Sequence, residues 1–258
     1  MKIDVIKFGG SSLKDSVSIE TAVVRVLEHL QGADAVIVVV SAMGRFPCCY
    51  ATDTLASQAT HLSSKDKDRL ISLGETISSL VFLNCCKAHS INACALSIKE
   101  TGIITDDHYQ RGYVMHVCTN HLLCALKEYE VIIVPGFTGT SLTGNTVTLG
   151  RGGSDYSAFL IARALEVSFV SIYTDVDGVY DKDPKNAEDA RIYNVMCCDE
   201  LLHLIEKGAR VMQKESVLFA RKNQISFEVK STFGTGKGTI VIPFQISSKE
   251  AEILKSDS

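Results

Sequence analysis

The chain has no run of about 20 uninterrupted apolar residues, so no membrane-spanning segment is expected. Its opening, Met1-Lys2-Ile3-Asp4-Val5, puts an acid where a secretory leader needs an apolar core, and no leader is expected either. Cys-x-x-Cys is missing. The nine cysteines include three adjacent pairs, Cys48-Cys49, Cys85-Cys86 and Cys197-Cys198, which make poor disulfide partners. An odd count without a disulfide framework fits a reducing cytoplasm. The seven histidines, at positions 29, 61, 89, 108, 116, 121 and 203, never fall at zinc-ligand spacing, so no protein metal cage is expected. A net charge of -4 leaves no basic surface for nucleic acid or anionic lipid. No linker, repeat or low-complexity segment divides the 258 residues, which suffice for a sizeable core.

What the chain has is glycine at the ends of strand-like runs. The central stretch runs from Thr148 to Ala158 and contains Gly150-Arg151-Gly152-Gly153-Ser154-Asp155. It follows the apolar run Val131–Val134 and a hairpin turning at Gly144-Asn145, and it leads into a helical pattern from Ser154 to about Glu166. Glycines let the backbone approach a ligand closely, and the helix aims its unpaired amides and positive dipole end at the same spot. Arg151 adds a forked cation suited to carboxylate or phosphate. The stretch therefore reads as an anion site. The plainer reading is a tight turn with Ser154 as helix N-cap.

A second such site opens the chain. Lys2 to Lys7 alternates as a buried strand, Phe8-Gly9-Gly10-Ser11-Ser12 follows, and a helix begins near Asp15 with Val17, Thr21, Val24 and Leu27 on its apolar side. Lys7 ends the strand. This is neither a G-x-x-x-x-G-K-[ST] loop nor a G-x-G-x-x-G fingerprint. Ala35–Val40 is continuously apolar, as a central parallel strand should be. Ligands bind at the carboxyl ends of such strands, which makes Ser41 and Thr52 candidate hydroxyl contacts. A long helix is expected from Lys67 to Lys87, with Leu70, Leu73, Ile77 and Leu80 on its core stripe. Glu75 lies off that stripe, beside small residues, where it could reach a pocket and hold an amino group; a solvated helix glutamate is the usual alternative.

Further along, Asn92–Ser97 reads as a strand and 100–116 as a polar flap. Ser168–Tyr173 reads as a strand ending in Thr174-Asp175-Val176-Asp177-Gly178-Val179-Tyr180. The acids here lack calcium-loop spacing. A base or ribose pocket fits better, with Tyr180 as a flat face and Lys185 as a phosphate contact. Helices near Asp199–Lys207 and Gln213–Asn223 precede strands at Ile225–Lys230 and Thr239–Ile242, and Gly234–Thr239 reads as a hairpin turn between these strands. The assembled pattern is a three-layer α/β/α sandwich with a largely parallel central sheet. Two cation-bearing glycine loops point to a substrate with many negative charges, such as ATP beside an acid.

Together, Lys7-Phe8-Gly9-Gly10-Ser11-Ser12, Ser41-Ala42-Met43-Gly44, Leu73-Gly74-Glu75, Gly150–Asp155, Thr174–Tyr180 with Asp183-Pro184, Gly208-Ala209-Arg210-Val211 and Gly238-Thr239 resemble the catalytic domain of aspartate kinases, in the amino acid kinase superfamily. The resemblance spans roughly residues 2 to 242. It implies the carbamate kinase-like fold and phosphoryl transfer from ATP, carried with Mg2+, to the β-carboxylate of L-aspartate, the first step toward lysine, threonine and methionine. That nucleophile, with a pKa of about 4, is ionised at neutral pH and needs no general base. The absence of a His/Asp or Ser/His constellation agrees, and catalysis would be positioning and charge stabilisation. By the resemblance, Lys7 and Asp155 would be catalytic, with Gly9, Gly10 and Ser11 cradling the phosphates. Arg151 would hold a substrate carboxylate and Glu75 its amino group, with Ser41, Thr52 and Ser154 lining the pocket. Thr174, Asp175, Tyr180, Lys185 and Arg210 would bind the nucleotide. A cytoplasmic homodimer is implied as well.

Three departures from the family pattern stand out. After an amino acid kinase domain over 1–243, a short tail at 244–258 leaves no room for the ACT domains that usually follow, so no allosteric inhibition within this chain is expected, and a separate regulatory chain is the open alternative. Gln213-Lys214 stand where the family usually has a proline-containing pair, and Phe46-Pro47-Cys48-Cys49 is unusual in the substrate-side loop. A kinase for another acidic amino acid, or a non-catalytic nucleotide-binding subunit, are the competing readings; the first would alter Glu75 and Arg151, and the second would lose Lys7 or Asp155.

Overall fold

The computed structural model describes residues 1–182, 187, 189–209 and 211–244. β1 (Ile3–Phe8) runs through a 3-10 turn (Gly10–Leu13) into α1 (Ser16–Leu30), and β2 (Ala35–Val40) leads to α2 (Thr52–Ser57), α3 (Ser64–Ile71) and α4 (Leu73–Ala88). β3 (Ala93–Ala95), β4 (Ile103–Thr105), β5 (Val114–Val117), α5 (Asn120–Ala125) and β6 (Val131–Pro135) precede the hairpin of β7 (Thr138–Ser141) and β8 (Thr146–Thr148). After α6 (Gly153–Ala164) come β9 (Phe169–Thr174), β10 (Val195–Cys197), α7 (Cys198–Glu206), α8 (Lys214–Lys222), β11 (Ser226–Ser231) and β12 (Thr239–Ile242).

The main sheet has eight strands in the order β10-β12-β11-β9-β1-β2-β6-β3, and every pairing is parallel except β11 with β12. Successive side chains of a strand point to opposite faces, and β2 shows the consequence. Ala35, Ile37 and Val39 join one buried cluster with residues of α5, α6, α7 and α8, while Val36, Val38 and Val40 join another with α1 and α4. The expected three layers follow directly from that division. Each fully buried valine or isoleucine here contributes about 1.5–3 kcal/mol of transfer free energy, which is why a continuous apolar run suits the position.

The two helices of the second face are oriented differently from the sequence expectation. On α1 the supposed apolar side is outside: Val17 is 74% exposed, and Val24 and Leu27 also face solvent, while Ile19, Ala22, Val23 and Val26 are buried. On α4, Leu73 and Leu80 are exposed, and Gly74, Glu75, Ser78, Ser79 and Phe82 face inward. The expected long helix is broken at Ser72 into α3 and α4. The whole stretch Ser64–Ala88 is long and apolar enough to cross a membrane by length and composition, but half of its most apolar window is buried inside the fold.

The expected flap is ordered. β4 and β5 join the β7–β8 hairpin, whose turn is at Gly144 as anticipated, in a second sheet of order β5-β4-β7-β8. The Gly234–Thr239 segment connects antiparallel β11 and β12, as a hairpin turn should.

Candidate active site

The site is assembled where β9, β1, β2 and β6 end side by side. Phe8 is in register with both Val40 and Tyr173, and Val40 with Pro135. Past these ends the ladder continues: Gly9 N–H donates to Tyr173 O (3.1 Å), Ser41 N–H to Phe8 O (3.1 Å) and Gly136 N–H to Val40 O (2.9 Å). The glycine and serine loops are thereby fixed in one row.

Lys7 shares the α6-facing side of β1 with Val5 and lies one residue short of the strand's end. There it meets the first turn of α6, and its Nζ stands 2.6 Å from Asp155 Oδ1, with the two side chains only 11% and 10% exposed. Removing either partner of such a buried pair leaves the other charge uncompensated, which is strongly destabilising. Gly10 allows the crossing of the first two loops, because a Cβ there would stand 2.5 Å from Gly44 O and 2.6 Å from Ala42 O. Gly152, with φ +73°, is the actual N-cap of α6, and Gln213 packs directly over it. Ser154 is therefore inside the helix rather than its cap. Gln213, one of the departures noted above, has become part of the wall.

A cavity of about 400 Å³ gathers Lys7, Asp155, Ser41, Thr52, Glu75, Arg151 and Ser154, the two residues expected to be catalytic and the five expected to bind the acceptor substrate. Clefts of about 410 and 430 Å³ elsewhere on the molecule contain none of them. Glu75 is 1% exposed, which excludes the solvated-glutamate reading. Its Oε1 accepts from Ala42 N–H (3.2 Å) and Thr52 Oγ1 (3.3 Å), and its Oε2 has no partner among the described residues. Burial pushes its pKa up to about 8, against the lowering effect of those hydrogen bonds. An unpartnered buried oxygen facing a cavity is suited to a ligand's hydrogen-bond donor.

Of the residues expected at the nucleotide, none of Gly9, Gly10, Ser11, Thr174 and Asp175 lines this cavity, and the last two lie past β9, on the far side of β1 from β2. Thr174 and Asp175 follow β9, where Thr174 Oγ1 donates to Asp175 Oδ1 (3.1 Å). Burial works against the ionised form of Asp175, but the Arg45 guanidinium at 3.1 Å and hydrogen bonds from Thr174 and Ser11 hold its pKa below the usual carboxylate value. The Gly9–Ser12 loop and the β9 end are thus linked. Tyr180 bridges to Ile192 and does not line the cavity. Lys185 and Arg210, with Asp183 and Pro184, lie outside the described residues, as do residues 245–258 of the tail.

Sequence reasoning missed several wall residues. Gln110 and Phe137 both line the cavity with positive φ, +69° and +66°, uncommon for non-glycine residues and frequent at functional sites. Asp68 is also new. It is fully buried on α3 and accepts from Gln110 N–H (2.8 Å), Thr148 N–H (2.9 Å) and Thr148 Oγ1 (2.9 Å), tying the second sheet to the helix below Glu75. Asp68→Ala should lose about 3 kcal/mol of stability, since two buried donors of Thr148 and a half-buried one of Gln110 are stranded, and Asp68→Asn should lose less. Urea unfolding of both variants checks the order; equal stability of all three proteins would rule out this anchoring role.

Residues 2–231 match the amino acid kinase family. Aspartokinase 1 of Bacillus subtilis (strain 168) is 34% identical over 259 residues, covering 99% of this chain and 64% of its own length. The aspartokinase of Helicobacter pylori (strain ATCC 700392 / 26695) is 35% identical over 242 residues, covering 92% of this chain and 58% of its own length. This chain thus spans less than two thirds of either relative. Among solved structures, E. coli aspartokinase III in complex with aspartate and ADP superposes with a TM-score of 0.81 at 28% identity, over 95% of this chain and 66% of that one. Uridylate kinase from Archaeoglobus fulgidus shares the fold, with a TM-score of 0.64 at 17% identity over 93% of this chain and 100% of that one. With its family pattern matched from β1 to the end of β11, and with this fold, the chain belongs to the amino acid kinase family.

Proposed function

We propose that the chain is the catalytic domain of an aspartate kinase, forming 4-phospho-L-aspartate and ADP from L-aspartate and MgATP. One observation carries the reading. A single cavity sets a forked cation, Arg151, and a buried carboxylate with a free oxygen, Glu75, beside the Lys7–Asp155 pair. The first two match the carboxylate and ammonium of an amino acid. Lys7 places positive charge where a phosphoryl group would pass, and Asp155 fixes the direction of Lys7. The substrate carboxylate is the nucleophile and arrives ionised, so the protein's work is alignment and charge compensation. Ser41, Thr52 and Ser154 complete the amino-acid side. Gly9, Gly10, Ser11, Thr174 and Asp175 form the nucleotide side, with Tyr180, Lys185 and Arg210 assigned there by the resemblance.

The buried carboxylates on the cavity wall are already engaged, Asp155 by Lys7 and one oxygen of Glu75 by Ala42 and Thr52. The donor set therefore fits a magnesium ion held mainly by the nucleotide's phosphates; bound with ATP, that ion neutralises phosphate charge. The relatives' names and the E. coli complex with aspartate and ADP support the same substrates. Nine free cysteines accord with a reducing cytoplasm.

The test is ATP-dependent acyl phosphate formation, trapped with hydroxylamine, on L-aspartate, L-glutamate and buffer alone. Product with aspartate alone is expected. Product with glutamate instead would reassign the acceptor, and ATP binding with no product from either acid would favour a non-catalytic subunit.

A further inference from the structure

Away from the cavity, on the outer side of the second helical face, three unlike donors meet. Cys85 and His89 are one helical turn apart at the end of α4, and Glu20 reaches them from α1. Glu20 Oε2 lies 2.5 Å from His89 Nε2, and one ligand atom of each of Glu20, Cys85 and His89 falls within 4.8 Å of the other two. Spacing along the chain hides the group, because one donor comes from another helix and the other two are a cysteine and a histidine rather than a matched pair.

We propose that Glu20, Cys85 and His89 form a binding site for a zinc-class divalent cation, tying the end of α4 to α1. Thiolate, imidazole and carboxylate together suit a borderline-soft ion and disfavour magnesium or calcium, which take oxygen ligands. A tetrahedral zinc ion with bonds of about 2.0–2.3 Å holds its donors roughly 3.5 Å apart. The present spread closes to that by rotation of two side chains that are at least partly exposed, Glu20 (55%) and His89 (35%), around the buried Cys85. A bound ion deprotonates the coordinating thiol outright, and three protein ligands leave a fourth position to water. The two helices joined are those that follow the Gly9–Ser12 loop and that carry Glu75 in the first turn. The site is separate from the ion that accompanies a nucleotide.

Cobalt titration of the full chain tests the proposal, since a thiolate–cobalt bond has a charge-transfer absorption that oxygen sites lack. Expected are one ion per chain, a raised Tm, no displacement by excess magnesium, and loss of the absorption in Cys85→Ser. Glu20→Gln and His89→Gln should each weaken binding at least roughly 10-fold, the loss typical of even an outer ligand-supporting residue. If Cys85→Ser does not fold, Glu20→Gln decides, because its position is exposed. An absorption unchanged in Glu20→Gln, one that disappears instead in Cys49→Ser or Cys124→Ser, or no absorption at all would overturn the assignment.

Discussion

Replacing Lys7 by alanine is expected to lower kcat by about 10³-fold or more, the range seen when a preorganised cation or donor is taken from a phosphoryl or acyl transfer site. The complication is structural. Lys7 and Asp155 are buried against each other at 2.6 Å, and removing one partner from such a pair leaves an uncompensated charge that costs about 3–5 kcal/mol. Lost activity in Lys7→Ala alone would therefore not separate chemistry from unfolding. The double variant Lys7→Ala/Asp155→Ala does. With neither charge present, its unfolding midpoint should return toward that of the parent while kcat stays at the level of the single variant. The Asp155→Ala single variant should also lose turnover, because an undirected lysine no longer holds its charge beside the transferring group. Near-normal kcat in either single variant would remove that residue from the mechanism. If stability and kcat recover together in the double variant, the pair is structural.

The distinction between what the sequence shows and what it hides is physical. Strand ends were legible because β1, β2 and β6 are bounded by glycine or serine, and parallel strands buried on both faces read as unbroken apolar runs. Of the seven cavity residues, Lys7, Ser41 and Thr52 were legible from the strand ends, Arg151 from its glycine loop and Glu75 from its place off the helix stripe, whereas Asp155 and Ser154 were named through the resemblance to aspartate kinases alone. The faces of α1 and α4 were not legible. α1 is apolar on both sides, with Val17, Val24 and Leu27 outside and Ile19, Val23 and Val26 inside, so its periodicity does not choose between them. α4 inverts the usual rule by burying Ser78, Ser79 and Glu75 beneath exposed Leu73 and Leu80. Asp68 and Arg45 escaped notice for a different reason. Their partners, Thr148 and Asp175, are 80 and 130 positions away, and only the tertiary fold brings them together.

The inversion of α4 leads to the second large effect. Glu75 is buried with an unpartnered oxygen, and its pKa is pushed up to about 8 from the ordinary 4.5. At neutral pH the free protein therefore holds a proton there that the unfolded chain releases. Because the folded value is the higher one, stability from this group is fully present below about 4.5 and is lost as pH rises through about 8. Glu75→Gln should remove that dependence and stabilise the ligand-free protein, by about 4 kcal/mol at pH 8. The same substitution should damage function. If Glu75 binds the substrate ammonium, it must be ionised to do so, and kcat/KM for aspartate should climb with pH up to about 8 and then level off. In Glu75→Gln the climb should vanish and KM should rise by about 10²–10³-fold, the loss expected when one member of a buried charge pair is truncated. Urea unfolding at pH 5 and pH 8, beside a pH profile of kcat/KM, reads both effects in the same pair of proteins. A Glu75→Gln variant that is no more stable at pH 8 but has lost aspartate binding would mean that burial does not raise this carboxyl. One that is stabilised yet binds aspartate normally would move the ammonium to another acceptor in the cavity.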